Sequence, residues 1–424
     1  MNGTSVQLAV IGAGPAGLAA AGDASAAGVR VTLIEERPAL GGRAMIVPGA
    51  RGLTEGLMRD LRAVEVWRSS SVWEICGRTL FVHRGDRSTC LTAAAVILAT
   101  GASETLLPFP GWTLQGVSTL EVGWEAVRAG RLGREAGPAI VAGGADGALL
   151  ANRLLERAVP VTLIAPERPP GLAAAVEYVA GVIAVARGAD TIEEIETADG
   201  TRYPCATLCI ESPRSPVTDL ARRAGCPCVY HPRLGGFVPR YDPLMMLHGP
   251  TPFVFVAGDA SGLDTPRAAA ESGRLAARAA LGALGLLPDA EERITDARQR
   301  LRAASIPLHA RAREALMAGA SPDEVVESWD CTFETVVCPC EFVTVRDLRA
   351  ALDEGARTAD DIRTLTGCGS GPCAGRRCEV TVLRWLSGAL DLPIGRLVPA
   401  PPHPPVRPVP LAAAASLVLP ADDG

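Results

Sequence analysis

The first apolar run of the chain, Val6 to Ile11, ends in Gly12-Ala13-Gly14-Pro15-Ala16-Gly17. A stretch of helical composition follows, Leu18 to Ala27, and after Gly28 a second apolar run, Val29 to Ile34, ends at Glu35. Short apolar runs closed by glycine turns are the pattern of buried strands, so the order predicted is strand, turn, helix, strand. Shifted by 130 positions the pattern returns: a run at Ala139 to Ala142, then Gly144 and Gly147, a helical segment from Ala148 to Ala158, and a strand from Val161 to Ile164. Val-Thr-Leu-Ile stands at both 31–34 and 161–164. In the copy, however, Ala142 replaces Gly12 and Ala165 replaces Glu35, so the fold is kept while the ligand groups are lost. Between the copies, Ala93 to Leu98 reads as a strand ending in Ala99-Thr100-Gly101, and Leu107 to Trp112 as a Pro- and Gly-rich crossover. Downstream, the strand Pro252 to Ala257 ends in Gly258-Asp259 and leads to an Ala-rich helix, Ala268 to Leu284.

Composition narrows the classes open to such a chain. Its 424 residues, 48% hydrophobic, suffice for two or three domains with buried cores. A net charge of -6 argues against a nucleic-acid partner, since such proteins usually carry a basic stripe, so none is expected. No leader is read in Met1 to Ser5, and charged residues interrupt every candidate spanning segment. A cytoplasmic protein with at most peripheral membrane contact is the expectation. Six of the twelve cysteines lie between Cys331 and Cys378, where an even spread would put about 1.4. They mark a separate module, joined by a charged helical stretch from Ala290 to Met317. The chain beyond Leu392 is Pro-rich and reads as an extended polyproline-like tail suited to lying along a neighbour.

The glycines of the first loop let backbone approach a pyrophosphate, and the helix behind them presents its positive end. Glu35, 18 residues after Gly17, stands where an acid bonds a ribose hydroxyl. Glu36 and the turn Gly41-Gly42-Arg43 follow close to the same phosphates. Together Gly12, Ala13, Gly14, Pro15, Ala16, Gly17, Glu35, Glu36, Gly42 and Arg43 form a candidate FAD site. With Ala99-Thr100-Gly101 and Val256-Ala257-Gly258-Asp259, the chain resembles the two-dinucleotide-binding-domain flavoproteins, which include thioredoxin and glutathione reductases. That resemblance implies that Asp259, after Gly258, bonds the ribityl chain and that Thr100 and Gly101 line the adenosine side. Cys205 and Cys209, on a strand expected from Cys205 to Ile210 with both on one side, are read as core residues rather than a redox pair, and Cys226 and Cys228 as structural. In the second copy no acid replaces Ala165, and Arg168 is a solvated residue before it is a 2'-phosphate ligand, so NAD(P) is not the expected occupant there.

The module reads Cys338-Pro-Cys340, a helical stretch from Thr344 to Leu352, then Thr366-Gly-Cys368-Gly-Ser-Gly-Pro-Cys373-Ala-Gly-Arg-Arg-Cys378. Four thiolates on two tight loops suit an iron–sulfur cluster, and glycine amides suit its sulfurs. A zinc knuckle is the rival, although C-x-C and C-x4-C fit its usual spacing less well. The segment is similar to the 2Fe-2S domain of the bacterioferritin-associated-ferredoxin type, and on that match Cys338, Cys340, Cys373 and Cys378 are the ligands. Cys368 competes with Cys373 for one place. Cys331 lies outside the motif.

The order of parts, with Leu107-Pro-Phe-Pro-Gly-Trp112 and the closing Pro-Pro-Val-Arg-Pro-Val-Pro-Leu, resembles nearly end to end the FAD and 2Fe-2S subunits of heteromeric amine or amino-acid dehydrogenases. That family includes subunits of opine oxidases, hydrogen cyanide synthase and dye-linked proline or hydroxyproline dehydrogenases. It implies a partner subunit of the D-amino-acid-oxidase fold that oxidises a secondary amine or amino acid, with this chain passing electrons to an external acceptor. An FMN at the subunit interface is left open. None of the five histidines sits in a motif with an acid or nucleophile, so no catalytic residue is assigned. Between Met45 and Gly56 the chain is shorter than the family pattern. The alternatives are a self-contained NAD(P)H-dependent flavin reductase and a non-catalytic assembly subunit. The fold class expected is α/β, with two Rossmann-like domains and a small helical C-terminal 2Fe-2S domain. In order, residues 1–110 begin a discontinuous FAD-binding domain, 111–240 insert a degenerate NAD(P)-like domain, and 241–288 complete the first. Residues 289–330 are a helical linker, 331–388 the cluster domain and 389–424 the tail.

Overall fold

The computed structural model describes residues 4–46, 48–61, 63–105, 108–319, 325–327 and 331–417; Met1 to Gly3 and Leu107 lie outside them. The first sheet is built on parallel strands β1 (Thr4–Ile11), β2 (Val31–Ile34) and β3 (Glu65–Trp67). A hairpin of β4 (Ser70–Cys76) and β5 (Thr79–Arg84) leads into the long β6 (Arg87–Leu98). The second half of β6 pairs in parallel with β1 on one side and with Val254–Val256 on the other. Register places Ile11 beside both Ile34 and Leu98, and Leu98 beside Val256. Four strands therefore end together, and Gly12, Glu35, Thr100 and Gly258 all emerge at one sheet edge, where doubly wound folds bind ligands.

Helix α1 (Pro15–Ala26) follows β1, and α2 (Arg51–Arg59) precedes β3. The inserted unit has five parallel strands in the order Glu177–Ala180, Val161–Ala165, Ala139–Ala142, Thr207–Ile210 and Val117–Thr119. Val141, Leu163 and Cys209 bury one face under α3 (Leu120–Arg128) and α4 (Ala145–Glu156). Ile140, Ile164 and Leu208 bury the other with Ala186 and Ile195 of an antiparallel meander. This alternation is that of strands covered on both faces. Cys205 precedes its strand and packs with the meander side, so the two cysteines expected on one face lie in different cores. A short helix, α5 (Asp219–Arg223), leads back to the first sheet.

The Ala-rich α6 (Pro266–Ala283) packs against α1 so closely that a Cβ on Gly273 would lie 2.0 Å from the Ala16 carbonyl oxygen. The stretch expected as one charged helix is two, α7 (Ala290–Ala304) and α8 (Pro307–Met317), because Pro307 opens a new first turn. Buried Arg313 of α8 donates to Asp264 and, at 2.8 Å, to the Gly262 carbonyl. The cysteine module holds α9 (Val345–Asp353), α10 (Ala359–Thr366) and α11 (Glu379–Leu390), the first two started by capping boxes at Thr344/Asp347 and Thr358/Asp361. The tail, expected along a neighbour, instead returns over its own chain. Val406 donates its amide to Trp73 at 2.9 Å, Arg407 is buried, and α12 (Leu411–Ala415) packs on β6. Among the described residues no helix is long and apolar enough to cross a membrane.

Candidate functional site

The three loop glycines have three separate roles. Gly12 turns the chain at a φ of 99°, and a Cβ there would lie 2.3 Å from the Ala99 carbonyl oxygen. A Cβ on Gly17 would lie 1.8 Å from the Gly12 carbonyl oxygen, so Gly17 sets the approach of helix to strand. Gly14 has nothing within 4 Å of the place its Cβ would take; that space is the cavity. No side chain caps α1 and no acid sits in its first turn, so the positive helix end opens on the cavity with its amides uncommitted. These features fit a dinucleotide pyrophosphate.

Glu35 is buried, and its carboxylate accepts the amides of Ala13 at 2.7 Å and Arg37 at 2.8 Å. Burial pushes its carboxyl above the ordinary range, against the pull of those two amides. Gly42 lies against the same loop, its absent Cβ 3.3 Å from Gly14 Cα, while Gly41 donates to the Ala13 carbonyl at 2.8 Å. Arg43 reaches across to Asp146 of the inserted unit at 3.4 Å. Thr100 donates its hydroxyl to the Val217 carbonyl at 2.9 Å, and Asp259 pairs with Arg214 at 2.8 Å. Gly258 takes a φ of 68°, where a Cβ would meet Ala16. One cavity of about 800 Å³ joins Gly12 to Ala16, Glu35, Glu36, Gly42, Arg43, Thr100, Gly101, Gly258 and Asp259; Gly17 stands behind its wall.

The second loop is built alike and closed. Glu211, which follows the strand Thr207–Ile210, accepts the Gly144 amide at 2.7 Å, and Asp146 sits in the first turn of α4. Two carboxylates thus stand where a phosphate would need positive potential. Arg168 lies over the Tyr178 ring, 5.5 Å from its centroid, and donates to the Ala173 carbonyl, so it is engaged locally. Cys205 and Cys209 are buried, and burial pushes both thiols up to about 11, as it does Cys226; Cys228 goes to about 12.

Five thiols of the module converge. Buried Cys338, Cys368 and Cys378 have sulfurs within 4.8 Å of one another, and the free thiols of half-buried Cys340 and Cys373 are within hydrogen-bond reach of each other. Cys368 therefore stands beside Cys338 and Cys378, whereas the sequence places it as a rival of Cys373. Bonds fix the module to the flavoprotein body: Arg222 forks onto Glu379 at 2.9 and 3.0 Å, and Trp112 Nε1 donates to the Val336 carbonyl at 2.7 Å. As a result Cys373, Arg376 and Arg377 line the same cavity as the glycine loop, together with Arg407 from the tail.

This cavity and its fold define an FAD-dependent oxidoreductase with an iron–sulfur domain of its own. Residues 6–279 match the pyridine nucleotide-disulphide oxidoreductase family and residues 336–387 the BFD-like [2Fe-2S] binding domain. The chain belongs to the pyridine nucleotide-disulphide oxidoreductase family. It is 30% identical to the A-type subunit of opine oxidase from Rhizobium meliloti, over 96% of this chain and 87% of that one. It is 26% identical to the HcnB subunit of hydrogen cyanide synthase from Pseudomonas protegens, over 96% and 97%. The crystal structure of L-proline dehydrogenase from P. horikoshii shares the fold, with a TM-score of 0.80, 20% identity and coverage of 98% of this chain and 80% of that one. FAD and a 2Fe-2S cluster are its cofactors, and its relatives are subunits of larger enzymes. It is an electron-transfer flavoprotein subunit.

Sequence reasoning misses Glu211, Arg376, Arg407 and Glu104, an acid on the cavity wall whose carboxyl desolvation raises. Each is far in sequence from the motif it meets, and no local spacing marks it.

Proposed function

We propose that the chain is the electron-relaying subunit of a heteromeric enzyme that oxidises a secondary amine or amino acid of the opine, proline, hydroxyproline or glycine class. Substrate oxidation falls to a partner of the D-amino-acid-oxidase fold, and electrons leave to an external acceptor. The observation that carries this reading is the shared wall: Cys373 and Arg376 of the cysteine module line the cavity that Gly12 and Gly14 open. The names of the relatives, subunits of opine oxidase and hydrogen cyanide synthase, support the heteromeric assignment. The closed second loop supports a donor other than NAD(P)H.

Bound FAD supplies two-electron chemistry and the cluster one-electron steps. In this assignment Gly12 to Gly17 and the α1 end hold the pyrophosphate, Glu35 and Glu36 the adenosine ribose, Gly42 and Arg43 the outer phosphate face, and Thr100, Gly101, Gly258 and Asp259 the remaining walls. Cys338, Cys340, Cys373 and Cys378 hold the cluster. The domain limits follow the sequence division, and the site of action is cytoplasmic.

The test is anaerobic mixing of the purified chain, with and without a D-amino-acid-oxidase-fold candidate partner from the same organism. Flavin bleaching within seconds by an opine, proline, hydroxyproline or glycine only when both proteins are present is the expected result. Bleaching of the chain alone by NADH or NADPH on that timescale overturns it.

A further inference from the structure

The module offers five thiols to a cluster that takes four. They are grouped as a pair and a triangle. Cys340 and Cys373, both free thiols, are within hydrogen-bond reach of each other, and Gly371 leaves them room, since a Cβ there would lie 2.4 Å from Cys340 Cβ. The triangle is Cys338, Cys368 and Cys378, all buried, with sulfurs within 4.8 Å of one another. A tetrahedral metal with metal–sulfur bonds of about 2.3 Å has sulfur–sulfur edges of about 3.8 Å, so any two sulfurs of this triangle lie within reach of one metal.

Each of the three thiols is within hydrogen-bond reach of the other two, and Gly369 gives Cys338 an amide. Cys368 is placed there by the end of α10. Gly367 ends that helix at a φ of 74°, the Cys368 amide donates to Thr366 Oγ1 at 3.1 Å, and Gly369 turns the chain again at 90°. The turn directs Cys368 inward, only 4% exposed, although its neighbours lie in a surface loop. Cys378 arrives from the other side as the residue preceding α11, fixed by the Arg222–Glu379 fork.

We propose that Cys368 and Cys378 are two thiols for one place at the iron that Cys338 serves, so that Cys368 is a cluster ligand in its own right or takes over when Cys378 is absent. Among the described residues no third thiol is grouped with Cys340 and Cys373, so they have no such substitute. In the exchange one iron–sulfur bond breaks and one forms, the incoming thiol gives up its proton and the departing thiolate takes one up. No electron moves, and the charge of the cluster with its ligands is unchanged. The inference rests on the iron–sulfur reading of this module.

The experiment is iron analysis and low-temperature EPR of the reduced, full-length protein, with bound FAD as the measure of correct folding. The wild type tests the underlying reading: about two irons per chain are expected, and zinc or no metal overturns that reading, whatever the variants do. Cys373→Ala and Cys340→Ala are expected to drop iron below about a tenth of wild type while keeping FAD, the loss of a ligand without a substitute. Cys378→Ala is expected to keep more than about half of the iron, with shifted g-values, and Cys368→Ala/Cys378→Ala to lose it. If Cys368→Ala alone loses the cluster while Cys378→Ala keeps it, Cys368 is the resident ligand, which also supports the proposal. If Cys378→Ala loses iron as completely as Cys373→Ala, or if the double variant keeps it, the proposal fails. Cys378→Ser, closer in size, repeats the comparison if Cys378→Ala loses FAD.

Discussion

The guanidinium of Arg407 lies 3.0 Å from the carboxylate of Glu36, a residue 371 positions earlier, and bonds on its other side to buried Asp219. Both neighbours are acids, and Arg407 and Glu36 share one cavity wall with Cys373 and Arg376 of the cysteine loop. Arg407→Ala leaves the Asp219 charge buried without its partner, a defect that costs about 3–5 kcal/mol. Calorimetry should show a clear fall in Tm, and gel filtration a protein that sheds flavin. Unchanged melting and flavin retention would show that the tail contact contributes nothing.

Gly14 and Gly17 should separate binding from folding. Gly14→Ala has room for its methyl group and an ordinary φ of −73°, so the apoprotein should melt within about 1 °C of wild type, a change under ~0.5 kcal/mol. The methyl projects into the cavity proposed to hold FAD, however, and affinity should fall at least about tenfold, or ~1.4 kcal/mol. Gly17→Ala should fail to accumulate as folded protein, since its methyl group meets the Gly12 carbonyl. Equal behaviour of the two variants contradicts these roles.

Glu35 predicts opposite pH trends for apo and holo protein. Its folded pKa lies above the unfolded value of about 4.5, so in that window the native chain holds a proton that the unfolded chain has released. The apoprotein therefore gains stability as pH falls through the window and loses that gain as pH rises through it. The carboxylate proposed to accept ribose hydroxyls disappears over the same fall in pH, and FAD affinity is expected to drop. Glu35→Gln should flatten both curves, as read by Tm and by flavin fluorescence titration between pH 4 and 7.

Glu211 closes the second loop. Glu211→Ala frees the Gly144 amide and removes one of two acids at the α4 end, so weak binding of an anionic nucleotide should become measurable by calorimetry where wild type shows none. Asp146 remains in the first turn and should keep that affinity in the millimolar range. Nucleotide binding by the wild type that Glu211→Ala does not improve would refute the seal.

Thiols pushed up to about 11 are protonated at neutral pH and buried, so Cys205 and Cys209 should resist iodoacetamide until the chain unfolds. Replacing either by Ala should leave electron transfer unchanged within about twofold, or ~0.4 kcal/mol in the barrier. A tenfold loss of rate would return them to the redox chemistry that their burial argues against.

What the sequence discloses follows from the range over which each signal acts. Gly12, Gly14, Gly17 and Glu35 lie in one strand-turn-helix-strand unit, and short-range periodicity is enough to read it. The eroded copy is visible too, because Val-Thr-Leu-Ile repeats and Ala165 stands where an acid should be. The carboxylate that closes that copy comes from Glu211, at the end of a neighbouring strand, and only parallel pairing brings it to Gly144. Cys368 stands out in the sequence, but distance along the chain assigns it the wrong neighbours. Two successive positive-φ glycines turn it toward Cys338 and Cys378 instead. The proline-rich tail carries a compositional signal for extension and none for destination; its docking rests on contacts distant in sequence, among them Val406 with Trp73 and Arg407 with Glu36 and Asp219.

The return of Arg407 to the cavity also sets a timetable. A ribosome that has made Glu35 must add 372 more residues before Arg407 exists, which takes roughly 20 to 75 s at about 5–20 residues per second. The glycine loop and the strand end at Gly258 and Asp259 are complete by residue 259, yet Arg407, on the same cavity wall, comes 148 residues later. A nascent chain therefore presents the glycine-loop side of the cavity well before Arg407 is added to its wall.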